Sequence, residues 1–199
     1  MSPDATAASR RGKLIVISGP SGTGKTSICN ALLERLPNAE WSVSATTRPR
    51  RGNETNGAAY SFISREEFGR RREGGEFLEW AEYLGELYGT PLAAVTDAVQ
   101  AGHHVIMEIE VQGGKQVADR MPESIRIFVL PPDMESLQAR LAGRKTESAE
   151  HQARRLAAAD GEIAFARDCG AYHFFVTNDG LQETVAEVME IIEREINGA

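Results

Sequence analysis

The sequence predicts an α/β fold in three layers, with a central, mainly parallel sheet between helices. Three observations lead there. A β-branched run, Lys13 to Ser18, breaks at Gly19-Pro20 and passes into helix-forming sequence from Thr26 to Leu36. Two further apolar runs, Val105 to Val111 and Ile125 to Leu130, have the continuous hydrophobicity of strands covered on both faces. Helical patterns lie among and after these runs, and alternation of strands with helices is the pattern of a parallel sheet.

Each element has its own local reason. Pro37 stops the first helix, because proline lacks the N–H that a further turn needs. Residues 44–62 are polar and turn-rich, and Tyr60 to Ile63 reads as a short strand. Ser64 followed by Glu67 is a capping box, which starts a helix over about Arg65 to Arg72. The run Val105 to Val111 carries Glu108 and Glu110, and strand alternation would put both on one face. Pro131-Pro132 ends the run at Leu130, and a helix follows from Met134 to Leu141. Glu147 to Asp168 reads as a long charged helix, Phe174 to Val176 as a last strand, and Leu181 to Ile196 as an amphipathic closing helix.

Two segments stand outside the alternation. One is an arginine-rich insert at 44–91, and the other a charged, lid-like stretch at 142–170. The expected core is then 13–43, 92–141 and 171–199, after a small, polar and flexible tail at 1–12.

A length of 199 residues with 41% hydrophobic content suits one compact domain with insertions. A net charge of −7 argues against a nucleic-acid partner, although local arginines can still build a cleft for a small anion. Cys29 and Cys169 lie far apart in the chain and have no metal-binding spacing, which fits a reduced, cytoplasmic protein. Leu14 to Ile17 is too short for the apolar region of a signal peptide, and no run approaches the roughly 20 apolar residues of a membrane span. No membrane partner is expected, and both a monomer and a homo-oligomer remain open.

The strongest motif is Gly19-Pro20-Ser21-Gly22-Thr23-Gly24-Lys25-Thr26, which matches G-x-x-x-x-G-K-[ST] between a strand and a helix. Glycines let backbone N–H groups turn toward phosphate oxygens, and the helix behind adds its positive N-terminal end. Lys25 is expected to reach the β- and γ-phosphates of ATP, and the Thr26 hydroxyl to ligate Mg²⁺. This P-loop implies nucleotide binding without naming the acceptor, since GTPases, helicases and small-molecule kinases share it.

The acceptor is suggested by the insert. Ser44-Ala-Thr-Thr-Arg48-Pro-Arg-Arg51-Gly-Asn-Glu54-Thr-Asn-Gly57-Ala-Ala-Tyr60-Ser-Phe62 resembles the segment S-x-T-T-R-x-x-R-x-G-E-x-x-G-x-x-Y-x-F of the guanylate kinase family. The resemblance continues through Gly75-Glu-Phe-Leu-Glu79-Trp-Ala-Glu82, Tyr88-Gly-Thr90-Pro91, Glu108-Ile-Glu110-Val-Gln-Gly113, Arg140 to Arg144, Arg154-Arg155-Leu156 and Asn178-Asp179. It covers residues 13 to about 196, with many motifs in order. It implies a P-loop NTPase fold with a GMP-binding insert and a helical lid, and the transfer of a phosphoryl group from ATP to GMP.

The residue chemistry agrees with what the resemblance implies. Arg48 and Arg51 carry planar forks suited to a phosphate dianion, and Tyr60 and Tyr88 can add neutral donors. The family places its GMP phosphate on residues matching these four. Guanine presents N1–H and N2–H₂ beside O6, and one carboxylate can accept both donors. Glu79 matches the family residue in that role, Ser44 and Thr90 match its hydroxyl contacts to the base, and Glu110 its second acidic contact. The family usually has Asp at that last position. Glu108 or Glu110 is also placed to hold Mg²⁺ through water. Arg140, Arg144 and Arg155 match the lid arginines that stabilise the moving phosphoryl group, and Asn178 and Asp179 the adenine-side loop. Smaller departures are Gly180 for a second Asp, and Gly52-Asn53 for Pro-Gly.

Two other readings compete. A related kinase of ribosyl bisphosphate would share the P-loop but would not need the arginine clamp with Glu79 and Thr90. A non-catalytic binding module of guanylate-kinase type would typically lack a working P-loop, whereas Lys25 and Thr26 are present.

Overall fold

A computed structural model describes residues 11–52, 54–58, 60–83, 85–142 and 149–198, with 149–153 described by their backbone. The chain opens with Leu14–Ser18 (β1), Lys25–Arg35 (α1), Ala39–Trp41 (β2), Ser44–Thr46 (β3) and Tyr60–Phe62 (β4). Arg65–Glu73 (α2), Phe77–Tyr83 (β5), Glu86–Pro91 (β6), Leu92–Gln100 (α3), His104–Glu108 (β7) and Val111–Arg120 (α4) follow. The chain continues through Ile125–Leu130 (β8), Met134–Ala142 (α5), Ala149–Asp168 (α6), Phe174–Thr177 (β9) and Leu181–Asn197 (α7).

Five strands form a sheet in the order β2-β7-β1-β8-β9, and every pairing in it is parallel. All five residues of β1 are buried, as a central strand covered on both sides requires. Its alternation sends Ile15 and Ile17 to one face, where they pack with Ile28 and Leu32 of α1 and Val185, Val188 and Ile192 of α7. Leu14 and Val16 point to the other face, against Val95 and Val99 of α3, Val117 of α4 and Leu78 of β5. The three layers expected from the sequence are present, and parallel pairing brings the carboxyl ends of β1 and β7 to one rim, where ligands gather in such folds.

A second, four-stranded sheet has the order β4-β3-β6-β5, antiparallel except for the β3–β4 pair. Its own core is Ala45, Phe68, Phe77 and Leu87, with the Phe68 and Phe77 rings stacked 4.4 Å apart. It meets the larger sheet through α4. Gln116 accepts from Trp80 N–H at 3.1 Å and donates to Trp80 C=O at 2.8 Å, completing the open edge of β5.

The helix beginning after Ser64 carries the expected cap, since the Ser64 hydroxyl accepts from Glu67 N–H at 3.0 Å. The Glu67 carboxylate turns to Arg70 and Arg71. The run Val105 to Val111 is corrected. The strand ends at Glu108, and Glu110 is the N-cap of α4. Val111 is the first residue of that helix, buried against Phe128 and Tyr172. A short apolar run cannot by itself distinguish a strand from the buried start of a helix. Elements β2, β3, β5, β6, α3 and α4 emerge only here. Cys29 is buried and Cys169 half-buried, both as free thiols. Among the described residues no helix is long and apolar enough to cross a membrane.

Candidate active site

The P-loop joins β1 to α1. Gly24 is the N-cap of α1 at φ +90°, where a Cβ would be strained and would lie 2.5 Å from the Asn178 Nδ2. No side chain caps the helix, and its first turn holds no acidic residue, so the N-terminal N–H groups face outward for an anion. Asn178 is buried and braces the loop. Its Nδ2 donates to Thr23 C=O at 2.7 Å, and its Oδ1 accepts from Thr184 at 3.1 Å. Lys25 is buried and folds back, donating to the carbonyls of Gly19 at 2.7 Å and Pro20 at 3.1 Å.

Thr26 donates to both carboxylate oxygens of Glu108, at 3.2 and 2.9 Å. Parallel pairing of β1 with β7 sets Ile17 opposite Glu108 and brings this acid to the P-loop exit. Of the two candidate acids on that rim, Glu108 therefore meets Thr26, while Glu110 sits one step on at the start of α4.

Beside the P-loop opens a cleft of about 490 Å³ whose lining includes Lys25, Thr26, Glu108, Glu110, Ser44, Tyr60, Glu79 and Tyr88. The second sheet builds the far wall. Glu79 stands opposite Thr90 in the β5–β6 register, and Thr90 donates to Glu79 Oε1 at 2.7 Å. The Ser44 and Thr90 hydroxyls lie 3.1 Å apart, forming a chain that ends on the carboxyl. Gly113 closes over the other oxygen. A Cβ there would sit 2.9 Å from Glu79 Oε2. Burial lifts the Glu79 carboxyl from its ordinary 4.5 to about 7, against a lowering by Thr90.

Arg48 is also buried, its guanidinium carbon 5.2 and 5.3 Å from the ring centroids of Tyr60 and Phe62. It forms a two-pronged pair with Glu54 at 2.8 Å on each arm. Arg51 is exposed, and its backbone N–H donates to Glu54 at 2.7 Å.

The remaining predicted residues lie on the P-loop's other side. Arg140 donates to the carbonyls of Asn178 at 2.8 Å and Asp179 at 3.2 Å, and Arg155 reaches the Ser21 hydroxyl at 3.3 Å. The latter bond ties α6 to the P-loop. Arg144 lies outside the described residues.

The model of the guanylate kinase family matches residues 11–195. The chain belongs to that family. A guanylate kinase from Rubrobacter xylanophilus is 48% identical over 95% of this chain and 97% of its own. One from Symbiobacterium thermophilum is 47% identical over 93% of this chain and 86% of its own. The crystal structure of guanylate kinase from Anaplasma phagocytophilum superposes with a TM-score of 0.71 at 34% identity, covering 94% of this chain and 87% of that one.

In this member of the guanylate kinase family, several cleft residues carry no sequence signal of their own. Ser42 is buried in the lining, and its hydroxyl has no hydrogen-bond partner among the described residues. Trp41 and Gly113 also line the cleft. Glu162, on α6, has a buried oxygen without a hydrogen-bond partner among the described residues, and burial followed by repulsion from Glu110 pushes its carboxyl up to about 7. Ser42 lies in the two-residue link between β2 and β3, where the chain passes from one sheet to the other, so strand alternation gives no hint of it. Nothing local distinguishes Glu162 from the other charges of its helix.

Proposed function

We propose that the chain transfers the γ-phosphoryl group of ATP to GMP, and to dGMP, giving ADP and GDP in the purine nucleotide economy of the cytoplasm. The observation that carries this is a single cleft with phosphate chemistry at one end and a buried, half-satisfied carboxyl at the other. Thr90 occupies Glu79 Oε1, and no described hydrogen bond occupies Oε2. Guanine N1–H and N2–H₂ would satisfy this carboxyl as a carboxylate, with Ser44, Thr90 and Glu110 around the base. AMP offers no such donor pair. A buried acceptor left unpaired can discriminate by a factor of about 10⁴.

The GMP phosphate would lie on Arg48, Arg51, Tyr60 and Tyr88. ATP would place its phosphates on Gly19 to Thr26, with Asn178 and Asp179 beside the adenine. In-line transfer demands little covalent chemistry from the protein, so the work is positioning and charge. Lys25 would leave its two carbonyls for the β- and γ-oxygens, and Arg140, Arg144 and Arg155 would spread positive charge over the moving group. Mg²⁺ would be held by Thr26, with Glu108 acting through water, and would neutralise phosphate charge. The hydroxyl and carboxylate already in contact at 2.9 Å suit an ion that takes most of its ligands from phosphates and water. Closure of the stretch 142–170, acting as a lid over the core, would exclude water and suppress ATP hydrolysis. The insert at 44–91 would carry the acceptor. Neither a ribosyl bisphosphate kinase nor a non-catalytic module accounts for a buried Glu79 facing an intact P-loop.

The test is ADP release measured with GMP, dGMP, AMP, CMP and UMP. Turnover is expected with the two guanine nucleotides, and equal turnover with AMP would overturn the assignment.

A further inference from the structure

Glu54 does not line the cleft, yet it is bonded to both arginines of the phosphate clamp. Its two oxygens take the Nη1 and Nη2 hydrogens of Arg48, and one of them also accepts the Arg51 backbone N–H. A carboxylate beside a site for a dianion is at first sight a handicap, because it cancels one of the two positive charges. The geometry offers a reason for it. Nη1 spends its second hydrogen on Pro49 C=O at 3.0 Å, so the end edge of the guanidinium is fully committed. The side edge, Nε–H with the second Nη2 hydrogen, is used by neither Glu54 nor Pro49, and Tyr88 of the cleft lining also engages the guanidinium. The Tyr60 and Phe62 rings pack against the guanidinium and restrict its movement.

We propose that Glu54 is a positioning residue: it grips Arg48 by one edge so that the other meets the GMP phosphate, and it anchors the Arg51 backbone in the same contact. This rests on the reading of Arg48 and Arg51 as the phosphate site. Glu54 stays on Arg48 when GMP binds, since a rigid fork with five N–H donors serves two anions at once. The Arg48 hydrogen bond holds the Glu54 carboxyl down to about 2, so it remains ionised over the working pH range.

The test compares Glu54→Ala and Glu54→Gln in the full chain, with guanosine as a competitor that has the base but no phosphate. The KM for GMP is expected to rise about tenfold or more in Glu54→Ala and less in Glu54→Gln, which keeps one acceptor. The KM for ATP and the inhibition constant of guanosine should stay within about twofold of the parent. In an Arg48→Ala background, Glu54→Ala should raise the KM by a smaller factor than in the parent, because only its hold on the Arg51 backbone remains to be lost. A lower KM for GMP would make Glu54 a competitor that the phosphate must displace. An equal loss of guanosine binding would make it a fold determinant of the insert. An unchanged KM would give it no role. Each of these overturns the proposal. If the parent chain turns over GMP while the Glu54 variants behave like it, only this inference fails. If the parent does not turn over GMP, the phosphate-site reading fails first.

Discussion

Replacing Glu79 by Gln removes one proton equilibrium from the middle of the cleft while keeping shape and one acceptor. Burial raises the Glu79 carboxyl from 4.5 to about 7 in the free protein. An acid raised on folding favours the fold in its neutral form. Its contribution is complete below about pH 4.5 and is lost as the pH rises through about 7. The loss amounts to about 3 kcal/mol across that window, of which about 2 kcal/mol falls between pH 5.5 and 7.5. Urea unfolding without nucleotide should therefore show the parent losing about 2 kcal/mol more than Glu79→Gln over that interval. GMP supplies donors that favour the carboxylate, so its binding near pH 7 should expel about half a proton from the parent and none from position 79 of the variant. Calorimetry in two buffers of different ionisation enthalpy reads that difference, with the titration of the GMP phosphate common to both proteins. Parallel stability curves and equal proton release would refute the reasoning, because Glu79 would then be ionised at rest despite its burial.

Other outcomes follow from the same geometry. Lys25→Ala should lower kcat by about 10²- to 10³-fold in steady-state assays, with the fold preserved by circular dichroism. Gly113→Ala puts a methyl 2.9 Å from Glu79 Oε2 and should raise the KM for GMP about tenfold while leaving the KM for ATP unchanged. Glu108→Gln removes the charge that Thr26 contacts, and should raise the Mg²⁺ concentration for half-maximal rate about tenfold or more.

The P-loop was legible in the chain because all its requirements are local. Glycine conformations, a helix start and two polar side chains fall within eight residues, from Gly19 to Thr26. The strands at 14–18 and 125–130 were legible for a similar reason, since a strand buried on both faces is apolar at every position. Glu110 was misplaced on a strand because Val111 extends the apolar run whether it ends a strand or begins a helix. The resemblance to the guanylate kinases named Glu79, but its own neighbours did not. Phe77-Leu-Glu79-Trp-Ala-Glu-Tyr83 contains two acidic residues, Glu79 and Glu82, and nothing local says which of them is buried.

What the sequence by itself determined is the order of parts: a phosphate loop between strand and helix, an arginine-rich insert and a charged helical stretch. Those depend on spacing along the chain. What only the tertiary structure decided is which charges meet. Glu79 is buried because α4 brings Gly113 across it, and Thr26 meets Glu108 because β1 pairs with β7 in one register. Arg48 spends one edge on Glu54 because a turn folds the chain back within six residues. A charge buried or paired through such contacts acquires its properties from desolvation and distance, and neither is written in the identity of the residue.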